Sequence, residues 1–126
     1  MKLFFDGACR PNPGEMQLAV VTGGKCYHKT GLGYGSSEEA EWLALLHSLE
    51  IASVLGLSEA LLLGDSASVI NQANGKTRCR STVLQQHLAS YNEKAERFSN
   101  LRLRHIKRTQ NLAGIAIQKL AATSEL

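Results

Sequence analysis

Gly23-Gly24 joins two strand-like runs with only two residues, and no other feature narrows the fold as sharply. Gln17–Thr22 (Q-L-A-V-V-T) precedes it, and Lys25–Gly31 follows as a more polar return. A two-residue glycine turn between strands makes an antiparallel hairpin. Residues 2–8 carry Leu3, Phe4 and Phe5 and form an earlier strand, so the chain opens as a three-stranded meander.

At Ser36 the hydrophobic period changes. Ser36-Ser37-Glu38-Glu39 offers a capping box, with Ser36 as N-cap and Glu39 three residues on. A long apolar helix then runs from Ser37 to Val54, and Gly56 ends it. Glu59–Leu63 is a short buried strand that stops at Gly64-Asp65. A short helix, Ser66 to Ala73, closes at Asn74-Gly75, and Ser81 to Phe98 is a second long helix. Leu101–Ile106 alternates apolar and basic residues as a strand does, and Asn111 to Ala122 is a last helix. A meander followed by βαβ units predicts an α/β fold: a five-stranded mixed sheet flanked by helices.

The 126 residues suit one domain, 1–126, with one core. Hydrophobic residues make up 44% and charged residues 20%, which places the chain among globular folds and not disordered ones. No apolar run reaches the ~18 residues of a membrane span, and Asp6 interrupts the opening before a signal-peptide core can form. Cys9, Cys26 and Cys79 are an odd, scattered set. They argue for reduced thiols, a cytoplasmic setting and no zinc cage.

The charges separate along the chain. Residues 1–75 hold four basic and eight acidic side chains, net −4, while residues 76–108 hold nine basic and two acidic, net +7. This is either a solvated surface or a cation-binding centre beside a polyanion-binding flank that contains Arg78, Arg80 and Lys107.

Three carboxylates stand out, each with an ordinary reading. Asp6 ends the first strand, and Asp-Gly is common turn chemistry. Asp65 precedes a helix and suits an N-cap, although strand ends of open α/β sheets are also ligand sites. Glu41 shares a helical row with Leu45 and Leu49, where an ionised group is costly unless paired. Together they suggest convergence, because the first strand and the strand before Asp65 are natural neighbours. Clustered like charges with hard oxygen donors select Mg²⁺ or Mn²⁺.

On these residues the chain resembles the type 1 ribonuclease H family. Asp6-Gly7-Ala8-Cys9-Arg10-Pro11-Asn12-Pro13-Gly14 is similar to its D-G-[AS]-x-x-x-N-P-G motif. Ser36 to Leu43 resembles T-N-N-x-A-E-x-x, Gly64-Asp65-Ser66 resembles a T-D-S strand end, and Asn111 opens a helix similar to N-x-x-A-D-x-L-A. The likeness covers nearly the whole chain in order.

The resemblance implies metal-dependent endonucleolytic hydrolysis of RNA in RNA/DNA hybrids. It makes Asp6, Glu41 and Asp65 the catalytic ligands of a two-ion Mg²⁺ or Mn²⁺ site. It gives Gly7, Cys9, Asn12 and Ser37 nucleic-acid contacts, the loop amides meeting the sugar 2′-hydroxyls. Arg108 would help product leave, with Lys107 the alternative. The implied partner is nucleic acid, with no membrane and no obligate protein partner.

The sequence also departs from the pattern. The family's fourth carboxylate, counted four positions from Asn111, falls on Ile115, or on Gly114 if the register slips by one; no acid follows in that helix before Glu125. Isoleucine ligates nothing, so metal affinity and rate should fall. Glu38 would set a negative charge among phosphates. Two alternatives to an active nuclease therefore stand: an impaired relative that binds hybrid or double-stranded nucleic acid without efficient cleavage, and an interaction domain that keeps only the fold.

Overall fold

The computed structural model describes residues 1–124, with side chains through residue 121. Six strands are present: β1 (Lys2–Cys9), β2 (Gly14–Thr22), β3 (Lys25–Lys29), β4 (Tyr34–Gly35), β5 (Glu59–Gly64) and β6 (Asn100–His105). The helices are α1 (Ser37–Val54), α2 (Ala67–Ala73), α3 (Thr82–Ala95) and α4 (Leu112–Ser124). Five strands form one mixed sheet in the order β3-β2-β1-β5-β6. β1–β2 and β2–β3 are antiparallel, while β1–β5 and β5–β6 are parallel. The meander and the βαβ units are as expected.

Boundaries differ where tertiary contacts decide them. β2 starts at Gly14, three residues earlier than its apolar pattern, because the short β4 pairs with Gly14 and Glu15. α3 stops at Ala95 and not at Phe98; Ser99 N donates to Ser58 O at 2.9 Å and draws the chain into β6. Only half of the expected capping box forms. Ser36 Oγ accepts from Glu39 N at 3.1 Å, but the Glu39 carboxylate turns to His87 Nε2 at 2.9 Å and ties α1 to α3.

The core lies between the sheet and α1. Leu3, Phe5, Trp42, Leu45 and Leu62 are fully buried there, each side chain contributing ~1.5–3 kcal/mol of apolar burial. The Trp42 indole N–H donates to Gln72 Oε1 at 3.0 Å, which fixes α2 against α1. On the opposite face α4 sets Ala113 and Ile117 against Ala19 and Phe4. α1 ends in two bonds of a Schellman turn, Leu57 N to Ala52 O and Gly56 N to Ser53 O, both 3.0 Å. None of the helices among the described residues is long and apolar enough to cross a membrane.

Candidate active site

Strand register brings the first two carboxylates together. Phe4 pairs with Leu63 across parallel β1 and β5. Two residues further along are Asp6 and Asp65, which stand level, ~4.8 Å apart by strand spacing. Asp65 follows the end of β5, but Asp6 lies inside β1 and does not end it, because pairing with β2 carries the strand on to Cys9. The third comes from α1, which crosses β1 at Gly7. A Cβ built on Gly7 would meet the Ala40 carbonyl at 2.1 Å and Glu41 N at 2.4 Å. Only glycine admits the helix this closely, and the approach seats Glu41 beside Asp6. Ligand oxygens of Asp6, Glu41 and Asp65 all lie within 4.8 Å of one another.

Asp65 is free for this role because its neighbour caps the helix. Ser66 Oγ accepts from Val69 N at 3.4 Å. Asp65 is anchored instead by Asn111, which is fully buried. Asn111 Nδ2 donates to Asp65 Oδ2 at 2.9 Å and to Phe5 O at 3.0 Å, and its Oδ1 accepts from Ala113 N at 3.1 Å. One amide thus ties the middle of β1 and the end of β5 to the start of α4.

The site is electrostatically tense. Asp6 and Glu41 are 6% and 8% exposed. Burial pushes the Glu41 carboxyl up to about 10, with the Asp6 and Asp65 charges adding to it and a Gly7 backbone hydrogen bond opposing it. Burial also raises Asp6, while its hydrogen bond with Glu41 and the charges of Arg108 and Arg10 work the other way. Glu41 Oε2 is buried without a hydrogen-bond partner among the described residues. A buried, unpaired acceptor in a cluster of carboxylates fits a hard divalent cation, which would satisfy the oxygen and offset the repulsion.

A cavity of about 140 Å³ opens over the cluster, lined by Asp6, Glu41, Arg10, Arg108, Gly114 and Gln118 among others. Gly7, Cys9 and Ser37 also line it. The Cys9 thiol is turned inward, sharing its proton between Pro11 O at 3.2 Å and Gly35 O at 3.1 Å. Asn12 Oδ1 accepts from Ser37 N at 3.0 Å and latches the β1–β2 loop to α1. Arg108 lies in the single 3₁₀ turn Arg108–Gln110 before α4. Lys107 is exposed and stands outside the cavity lining.

Arg78 and Arg80 lie apart from the carboxylates. They line a shallower depression of about 510 Å³ with Glu38, Asn71, Gln72 and Thr77. The Glu38 carboxylate there accepts from Ser68 Oγ and from Gln72 Nε2. The four histidines stay outside any ligand set: His28, His47, His87 and His105 bond Gln17, Glu50, Glu39 and the Asp65 carbonyl.

Sequence reasoning missed Arg10 and underrated Asn111. Arg10 looks like loop filler until β2 folds the motif back toward α4. Asn111 offered a signal, a buried-helix start with an amide side chain, but its partners are 46 and 106 residues away. Position 114 is now placed: a Cβ there would lie 3.4 Å from Asp6 Oδ2 and 3.8 Å from Asp65 Oδ2. Ile115 is half-buried and does not line the cavity; Glu125 lies outside the described residues.

The comparisons with known proteins agree with this layout. A family model described as reverse transcriptase-like matches residues 5–121. Ribonuclease HI of Halobacterium salinarum is 30% identical over 113 residues, 86% of this chain, and the chain spans 57% of that protein's length. The crystal structure of RNase H1 from H. salinarum NRC-1 superposes with a TM-score of 0.82 at 28% identity, covering 94% of this chain and 97% of that one. LC11-RNase H1, solved in complex with RNA/DNA hybrid, gives 0.77 at 24% identity, covering 95% and 98%. With the motifs in order, the sheet topology matched and the family model spanning nearly its full length, the chain belongs to the type 1 ribonuclease H family.

Proposed function

We propose that this protein hydrolyses the RNA strand of RNA/DNA hybrids endonucleolytically, in a reaction dependent on Mg²⁺ or Mn²⁺ held by Asp6, Glu41 and Asp65. The observation that carries the reading is the meeting of three carboxylates within 4.8 Å, one oxygen of which is buried and unbonded among the described residues. The likeness to Ribonuclease HI supplies the substrate class, and LC11-RNase H1, which shares the fold, was solved holding such a hybrid. Divalent cations held there would supply activation of the attacking water and neutralisation of charge on the departing 3′-oxygen, and the products would carry a 5′-phosphate.

The chain's own residues do the rest. Asn111 holds the Asp65 carboxylate in orientation. Arg10 and Arg108 add positive charge beside Asp6, where a phosphodiester would otherwise meet net negative charge. The Gly7 and Cys9 backbone, with Asn12 and Ser37, faces the sugars, and 2′-hydroxyls are the feature that separates RNA from DNA. Arg108 assists release of the cut strand. Arg78 and Arg80 take phosphates of the paired strand at a distance from the cleavage point.

One observation favours a second reading, in which the protein binds hybrid or double-stranded nucleic acid but cleaves it poorly. α4 presents Gly114, Ile117 and Gln118 to the cavity and no acid. The test is incubation of labelled hybrid with the protein in Mg²⁺ and then in Mn²⁺, with Asp6→Asn alongside. Cleavage by the wild type, reduced at least ~100-fold in Asp6→Asn, supports the nuclease. Salt-dependent binding without cleavage in either ion supports the second reading.

A further inference from the structure

The basic segment 76–108 does not form one surface. Arg78 and Arg80 stand by α2 and α3, on the α1 side of the sheet. Leu103 is buried in the α1-side core and Leu101 packs against it. Alternation along β6 therefore turns Arg102 and Arg104 to the opposite face. Register fixes their neighbours: Lys2, Leu61 and Arg102 form one row across β1, β5 and β6, and Phe4, Leu63 and Arg104 form the next. α4 packs chiefly over β1 and β2, which leaves the β5–β6 end of this face open. Lys2, Arg102 and Arg104 are exposed there, with Leu61 half-buried between them. None of these three cations makes an ion pair among the described residues. Glu59, opposite Asn100 and one row earlier, is the acidic residue at the rim.

We propose that this sheet face, built from Lys2, Arg102 and Arg104, docks the phosphate backbone of a single-stranded nucleic acid. Three unpaired cations complement a polyanion, and guanidinium groups suit phosphate oxygens. Leu61, half-buried between the cations, gives sugars and bases an apolar floor. The footprint suits one strand. Same-face residues on β6 are ~6.8 Å apart, and Lys2 lies two strand spacings, ~9.6 Å, from Arg102. That is less than the ~12 Å of a duplex major groove alone. Lys107 and Arg108 follow β6 directly and lead to the acidic cluster. On the nuclease reading proposed above, the docked strand is a substrate strand running on from the cleavage site.

Anisotropy titrations of a labelled oligothymidylate across ~50 to ~200 mM salt test this on the intact chain. The wild type should bind, and Arg102→Gln with Arg104→Gln should make the log–log salt slope shallower by about 1.4, ~0.7 for each phosphate no longer neutralised. The double Lys variant should keep the wild-type slope. If the Gln pair does not fold, as judged by circular dichroism, Lys2→Gln alone should lower the slope by about 0.7. Absence of wild-type binding at ~50 mM salt, or an unchanged slope in the variants, overturns the proposal. So does an equal loss on a blunt duplex, which would mean that the face takes paired strands. Cleavage of a blunt hybrid, measured in parallel, should be unchanged in the Gln pair. A wild type that binds the oligonucleotide yet cuts no hybrid sinks the nuclease reading and leaves the docking face standing.

Discussion

Glu41 lies beside two other carboxylates with one oxygen unbonded among the described residues, and its carboxyl is raised from 4.5 to about 10. A group whose folded value is raised binds more protons folded than unfolded. Metal-free stability should therefore be full below pH ~4.5 and fall as pH rises toward ~10. Glu41→Gln should remove the Glu41 share of that decline, leaving what the raised Asp6 carboxyl contributes. At pH 8–9 in chelator it should melt above the wild type, where a relief of ~1 kcal/mol is worth roughly 3–6 °C. Melting curves across pH decide this, and parallel curves for the two proteins would refute it. Mn²⁺ should reverse the order, raising the wild type by up to ~2.7 kcal/mol at a hundred times its Kd, with no shift in Asp65→Asn. Position 114 faces the cluster, a Cβ there lying 3.4 Å from Asp6 Oδ2, whereas Ile115 does not line the cavity. Gly114→Asp is therefore the substitution expected to increase the Mn²⁺ shift and the cleavage rate, whereas Ile115→Asp should do neither; a gain from Ile115→Asp and none from Gly114→Asp would reinstate the register counted from Asn111. Glu41 was legible because it shares an apolar row with Leu45 and Leu49. Asp65 was ambiguous with a cap until Ser66 proved to hold that place. Arg10 was illegible because nothing local marks where its loop returns.

The elements repeat the contrast between local and distant causes. The Gly23-Gly24 turn, the Ser36 cap and the Gly56 stop were readable because each is a short-range constraint. β4 was not, since two residues acquire strand character only by meeting Gly14 and Glu15. The end of α3 was hidden for the same reason. Two contacts between elements should dominate stability. Gly7→Ala sets a methyl 2.1 Å from the Ala40 carbonyl; the backbone must shift, at a cost of at least ~3 kcal/mol. Denaturant melts should show that loss, and a midpoint within error of the wild type would show that α1 crosses β1 more loosely. Asn111→Ala removes three hydrogen bonds at a buried junction, worth roughly 2–4 kcal/mol. It should also weaken Mn²⁺ binding ~10-fold or more, as removal of a group that orients a ligand does.

For the whole molecule, the charge asymmetry in the sequence was real but its geometry was not visible there. Residues 76–108 wrap around the sheet edge, so their cations serve two faces. Arg78→Gln with Arg80→Gln should weaken hybrid binding alike for every sequence and reduce the salt slope by about 1 for each arginine that had been neutralising a phosphate. A slope equal to the wild type's would remove that depression from the substrate path. The Asn111 junction has a consequence in time. Asp6 precedes the amide that aligns its partner carboxylate by more than a hundred positions. A polypeptide still growing on the ribosome holds all three acids long before they are clamped. On the nuclease reading, hydrolytic competence should thus switch on late and abruptly, so that a half-made chain leaves nearby RNA uncut.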